Sequence, residues 1–170
     1  MVAKYARVPP RYKGQGQAER VRRNLVALHL TSSDTIVLTG SGTEDVVNNA
    51  TLVTGDLAVK KKIGNDVAVN LTTGVISGLN AGFHRISAFI RYSGETNLGY
   101  LSLKVKDTTV VELEMKRDAV VDTSFDCMGA SIIADLSGGN VTVVLADAGG
   151  GGTLPIDALE ICIEELDNVA

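Results

Sequence analysis

Gly82-Phe-His-Arg-Ile-Ser-Ala-Phe-Ile-Arg-Tyr-Ser93 is the stretch on which the fold of this chain turns. In an extended chain Phe83, Arg85, Ser87, Phe89 and Arg91 fall on one side and His84, Ile86, Ala88, Ile90 and Tyr92 on the other, the two-residue period of a β-strand. Toward the N-terminus, shorter apolar runs end in turn residues. Val67 to Leu71 runs into Thr72-Thr73-Gly74, Leu57 to Ile63 into Gly64-Asn65-Asp66, and Thr35 to Thr39 into Gly40-Ser41-Gly42. Leu25 to Leu30 alternates as well and is read as a strand, although Val21, Leu25 and Leu28 would also fit one face of a helix. Toward the C-terminus the strand-like runs are Tyr100 to Val105, Thr109 to Met115, Ala130 to Leu136, Val141 to Ala146 and Ala158 to Leu166. Starts recur every ~8–15 residues with no helical segments between them, which predicts an all-β, two-sheet antiparallel sandwich rather than βαβ units.

Composition agrees. The 170 residues include 21 Val, 10 Ile and 14 Thr, stiff side chains that suit a pleated sheet better than a helical turn. Eighteen Gly against 3 Pro supply turns without the make-up of a disordered or collagen-like chain. No apolar run approaches the roughly 18 residues of a membrane helix, so no membrane partner is expected. The opening Met1 to Pro10 carries charge but no apolar core of the secretory type, which predicts synthesis and assembly in a cytoplasm. Cys127 and Cys162 are too few for a disulfide framework and are read as two buried thiols. Gly149 to Gly152 is expected to be a mobile surface connection.

The net charge of −4 conceals two regions of opposite sign. Residues 1–23 hold Lys4, Arg7, Arg11, Lys13, Arg20, Arg22 and Arg23 against Glu19 alone, giving +6 and leaving −10 for residues 24–170. This arm also carries Tyr5, Tyr12 and Pro9-Pro10 but almost nothing aliphatic, so it is expected to run extended outside a domain spanning 24–170.

Catalytic signatures are missing. His29 and His84 lie in strand-like runs with no second ligand at metal spacing and are read as partly buried or interface residues. Gly40-Ser41-Gly42 lacks the context of a nucleophile elbow and the Gly-Lys-Ser/Thr ending of a phosphate loop. Glu112 and Glu114, two carboxylates on one strand face, read as solvated surface. The expectation is a protein that is not an enzyme and has no cofactor or metal. Asn49-Ala-Thr51, Asn70-Leu-Thr72 and Asn140-Val-Thr142 match the glycosylation triplet by chance in a Thr-rich chain.

Asn70-Leu-Thr-Thr-Gly-Val-Ile-Ser-Gly-Leu-Asn-Ala-Gly-Phe-His-Arg-Ile-Ser-Ala-Phe-Ile-Arg-Tyr-Ser93 resembles the central signature of the complement C1q and tumour-necrosis-factor-like jelly rolls. Leu101 to Val105 with Thr109 to Glu114 resembles that family's next hairpin. Ile132 to Asn140 followed by Val141 to Leu145 resembles its Gly-turn and valine-rich strand, and Leu159 to Ile163 its closing strand. The resemblance covers roughly residues 66–166. It implies a jelly roll that associates as a homotrimer, with the inner sheets of three subunits packed about an axis. Phe83, Phe89, Tyr92, Tyr100 and Phe125 are the aromatic residues expected in the core and at that trimer interface.

Small jelly-roll trimers with an extended N-terminal segment resemble bacteriophage decoration, or cement, proteins of the capsid surface, an analogy of fold rather than of chemistry. The resemblance implies a virion structural protein assembled in the host cytoplasm, with the major capsid protein as partner. Tyr5, Arg7, Arg11, Tyr12, Lys13, Arg20, Arg22 and Arg23 are the expected capsid-docking residues. Three arms on one trimer would raise each other's effective concentration, and arginine pairs with carboxylates in a geometry that lysine lacks. The alternative is a receptor- or glycan-binding head of a phage fibre, although no coiled-coil or collagen-like stalk precedes the domain. Nucleic acid is disfavoured as a partner because the −10 body repels a phosphate backbone.

Overall fold

The computed structural model describes residues 24–64, 66–93, 100–118 and 125–166. They form twelve strands: β1 (Leu25–Leu30), β2 (Asp34–Leu38), β3 (Glu44–Val46), β4 (Leu57–Ile63), β5 (Ala68–Asn70), β6 (Val75–Ser77), β7 (Gly82–Ser93), β8 (Tyr100–Asp107), β9 (Val110–Asp118), β10 (Phe125–Leu136), β11 (Val141–Asp147) and β12 (Gly152–Glu165). Every pairing among them is antiparallel. One sheet has the order β10-β7-β12-β1-β4 with β2 also on β12, and the other β5-β6-β11-β8-β9 with β3 also on β11. This is the expected all-β jelly-roll sandwich.

Two long strands divide their partners by length. The first part of β12, Gly152 to Ile156, pairs with β2, and its second part pairs with β1 through Cys162 opposite Ala27. Where the two parts meet, a bulge at Asp157 shifts the register against β7. Strand β11 does the same in the second sheet, holding β3 at Val144–Ala146 and β6 at Val141–Thr142.

The inward faces are aliphatic. Ile86 and Ile90 of β7, Leu159, Ile161 and Ile163 of β12, and Val26 of β1 meet Leu101, Leu103 and Val105 of β8 and Val143 and Leu145 of β11, all buried. Alternation in β7 puts its even-numbered residues into this core, as its sequence predicts. At one side of the sandwich Arg117 of β9 ties the sheets together. Its Nε lies 2.7 Å from Asp126 Oδ2, and its Nη1 donates to the Cys127 carbonyl of β10 at 3.0 Å.

Several sequence readings change. Strand β10 begins at Phe125 rather than Ala130 and β12 at Gly152 rather than Ala158, while β3 has no counterpart among the strand-like runs of the sequence. The glycine run is not a loose connection. Gly151 packs against Gly40 so closely that a Cβ on Gly40 would overlap its backbone, and Ser41 N donates to Gly149 O at 2.7 Å. Beneath it the carboxylate of Asp147, fully buried, accepts from Gly149 N at 2.8 Å and Gly151 N at 3.1 Å. Two asparagines of the glycosylation-like triplets act as turn formers. Asn49 pairs with the backbone of Leu57 through both its amide nitrogen and its oxygen, and Asn70 Oδ1 accepts from Thr72 N and Thr73 N.

Candidate assembly face

The outward face of the β10-β7-β12-β1-β4 sheet combines exposed rings with paired charges. Antiparallel register aligns its side chains in rows across the strands: Gly129, Phe89, Glu160 and His29 in one, and Ser131, Ser87, Cys162 and Ala27 in the next. Phe83 is 50% exposed, Phe89 36%, Phe125 54% and Ile133 62%, all on the outward side of β7 and β10. Large rings left in water on a regular sheet are costly relative to covering them, and each covers up to ~150–250 Å² when buried.

Six of the charges on this face are paired, while Lys61 and Asp135 are in no ion pair among the described residues. Arg91 Nε donates to Asp157 Oδ1 at 2.6 Å while its Nη2 engages the other oxygen, a two-point contact that the β12 bulge makes possible by turning Asp157 toward β7. That contact holds the Asp157 carboxyl below its usual range, and the Arg91 guanidinium also lies 5.5 Å from the Phe125 ring centroid. Arg85 pairs with Glu164 at 3.5 Å and Lys60 with Glu160 at 3.4 Å. Exposed pairs of this kind contribute little stability, but they present a neighbour with dipoles rather than net charge. The centre of the face is filled by small side chains, Ala27, Ser87, Ser131 and Cys162, and Ser87 and Ser131 share a 2.8 Å hydrogen bond. Its dimensions, about 19 Å across five strands by about 40 Å along β7, compare with the ~800 Å² each partner gives to a stable interface.

The expected interface aromatics divide three ways. Phe83, Phe89 and Phe125 share this face, with Phe83 and Phe125 at opposite ends of the β7–β10 pair. Tyr100 lies on the other sheet, 38% exposed and with Lys116 Nζ 5.5 Å from its ring centroid. Tyr92 is only 2% exposed on the core side of β7, because its even position shares the parity of Ile86 and Ile90; its ring packs within the protomer. Ile133, which a strand read from Ala130 does not single out, joins the three phenylalanines. Its signal is parity, since it stands an even number of residues from Phe125.

The expected capsid-docking residues Tyr5, Arg7, Arg11, Tyr12, Lys13, Arg20, Arg22 and Arg23 lie outside the described residues. The described residues begin at a braced point. Asn24 N donates to Glu165 Oε2 at 2.9 Å, Glu165 N donates back to Asn24 O at 2.9 Å, and Asn80 Nδ2 braces the same carboxylate at 3.0 Å. His84 is fully buried with Nδ1 2.8 Å from Gly82 O, and His29 is half-buried on the assembly face. Among the described residues no three His, Cys, Asp or Glu side chains gather at metal-binding distance, and no helix is long and apolar enough to cross a membrane.

No protein-family model matches the sequence, and no curated protein matches it. Solved structures do match in fold. PRD1 vertex protein P5 superposes with a TM-score of 0.53 at 12% identity, covering 85% of this chain and 97% of that one. Murine APRIL at pH 8.0 gives 0.56 at 9% identity, covering 85% and 100%, and the Eiger TNF of S. frugiperda gives 0.54 at 8% identity, covering 86% and 96%. None of the three is named as an enzyme. The chain therefore has a TNF-like jelly-roll fold, one that PRD1 vertex protein P5 shares.

Proposed function

We propose that this chain is a structural protein of a virus particle, a homotrimer that decorates or cements a phage capsid and docks on the major capsid protein through its basic arm. The observation that carries the reading is the face bearing exposed Phe83, Phe89, Phe125 and Ile133, with most of its charges paired to one another, on a fold shared with a vertex protein. Three such faces packed about an axis remove those rings from water, as the resemblance implies. Residues 1–23 then act as three tethered docking segments of +6 each, with Tyr5 and Tyr12 as anchors and Arg7, Arg11, Lys13, Arg20, Arg22 and Arg23 pairing with shell carboxylates. Arg91, Arg85 and Lys60 of the described face pair with Asp157, Glu164 and Glu160 rather than with a nucleophile and its base, which supports a non-enzymatic role.

Sedimentation tests the assembly, and binding to bare phage heads tests the docking. The expected mass is about 53 kDa, three times 17.8 kDa. A chain lacking residues 1–23 should keep that mass, less the arms, and lose attachment. A monomer at every micromolar concentration refutes the trimer. A truncated trimer that attaches as tightly as the full chain refutes the arm and favours the fibre-head reading.

A further inference from the structure

We infer that the groove between the β3–β4 connection and the start of β10 is a carbohydrate site, taking one neutral monosaccharide unit against the Phe125 ring. The groove measures about 310 Å³, at the lower end of the range for small-molecule sites and of a size for a single sugar ring. Thr35 of β2 and Pro155 of β12, opposite each other in register, border it together with Val53 and Phe125. It lies at the end of the β7–β10 pair remote from Phe83, against β2 and the first part of β12, and all its lining comes from one protomer.

The polar groups of the lining specify the class of ligand. Two carboxylates face the groove, Asp157 and Asp34. Asp157 is fixed by its two-point contact with Arg91. Asp34 is fixed by backbone donors: its Oδ1 accepts from Thr35 N at 2.6 Å and Thr54 N at 3.1 Å, and its Oδ2 from Asp56 N at 3.4 Å. Burial opposes its charge, but hydrogen bonds from Thr54, Thr35 and Asp56 outweigh burial and hold the carboxyl below its usual range. Both carboxylates are thus committed to fixed donors, with lone pairs left to accept from the hydroxyl groups of a ligand. The hydroxyls of Ser33 and Thr35 make no hydrogen bond among the described residues and are able to donate and accept. An exposed ring beside rigid acceptors and two free hydroxyls matches a sugar, whose C–H face packs on the ring while its hydroxyls meet the polar lining. A cationic ligand finds Asp157 already paired with a cation, and an anionic one meets two carboxylates.

The test is saturation-transfer nuclear magnetic resonance on the full chain with glucose, galactose, mannose, N-acetylglucosamine and rhamnose, each alone. A single sugar ring in an open groove predicts a Kd on the order of a millimolar. Phe125→Ala should abolish the transfer. Thr35→Val keeps the branched shape that suits a strand but loses the hydroxyl, so it should fold and bind several-fold more weakly. Phe83→Ala removes a comparably exposed ring at the far end of the same strand pair and should bind as the unmodified chain does. Transfer to at least one of these sugars with that pattern among the variants supports the site. No transfer to any of them at about 50 mM overturns it, as does transfer that either Phe125→Ala or Thr35→Val leaves unchanged, or that Phe83→Ala abolishes. Sedimentation of the same samples keeps this result apart from that of the assembly, because a site within one protomer binds at either mass.

Discussion

Replacing Gly40 and Gly42 by alanine, one at a time, separates two reasons for a glycine that the sequence cannot distinguish. Both have positive φ, +80° and +76°, and both lie in the turn after β2. A left-handed conformation costs a non-glycine residue ~1–2 kcal/mol, so each variant should lose at least that. They differ in space. Nothing lies within 4 Å of a Cβ on Gly42, whereas a Cβ on Gly40 would fall on the backbone of Gly150 and Gly151. Separating the loops to admit it would sacrifice the bonds from Ser41 N to Gly149 O and from Gly42 N to Asp147 O, both 2.7 Å, at ~1 kcal/mol each. The totals are about 3–4 kcal/mol for Gly40→Ala and about 1–2 kcal/mol for Gly42→Ala. At roughly 2–4 °C per kcal/mol for a chain of this length, the gap of ~2 kcal/mol becomes a Tm difference of about 4–8 °C. Urea unfolding with equal m values would measure the same gap in free energy. If the two variants agree within about 0.5 kcal/mol, the glycine run is not held against the β2–β3 turn.

Other perturbations address the surface. Phe89→Asp and Ile133→Asp, each placing an unpaired charge on the assembly face, should convert a species of about 53 kDa to 17.8 kDa in sedimentation with unchanged far-ultraviolet circular dichroism; retention of the larger mass by both would exclude this face. Hydrogen bonds from Lys104 and Lys106 hold the Glu44 carboxyl below its ordinary value of 4.5, so its stabilising contribution is present above that pH and is lost as pH falls through the lower folded value. Urea midpoints measured downward from about pH 5 should therefore fall more steeply for the unmodified chain than for Glu44→Gln, and parallel curves would contradict the linkage. Cys127 is exposed on the outward side of β10, not buried as the sequence predicts, whereas burial pushes the Cys162 thiol up, so a thiol reagent should modify Cys127 first, and reductant should leave Tm unchanged. Equal rates, or a fall in Tm on reduction, would contradict these environments.

The assembly face is partly legible in the sequence. Alternation from Phe83 to Tyr92 is enough to assign two faces to β7, and the folded chain keeps that division. Alternation does not say which aromatic residues belong to partners, because that depends on which face meets the second sheet. Burial answers for Tyr92, whose parity is that of Ile86 and Ile90, and cross-strand register answers for Ile133, which lies opposite Arg85 beside the phenylalanines of β7. Strand β3 escapes a sequence reading because Glu44-Asp45-Val46 has no apolar period of its own; it exists by pairing with Val144 to Ala146.

What this sequence determined by itself was local: an all-β chain, most of its strands, the two sides of each, and a basic segment opposed to an acidic body. A period of two is written in consecutive residues, and charge is additive along the chain. The tertiary structure alone decided what depends on residues from distant parts of the chain meeting. It placed Gly40 against Gly151, made a buried cap of Asp147 beneath the glycine run, turned Asp157 toward Arg91 and left Asp107 Oδ1 enclosed between two turns. Each of these rests on steric exclusion, desolvation or charge pairing, which act between neighbours in space and leave no period in sequence.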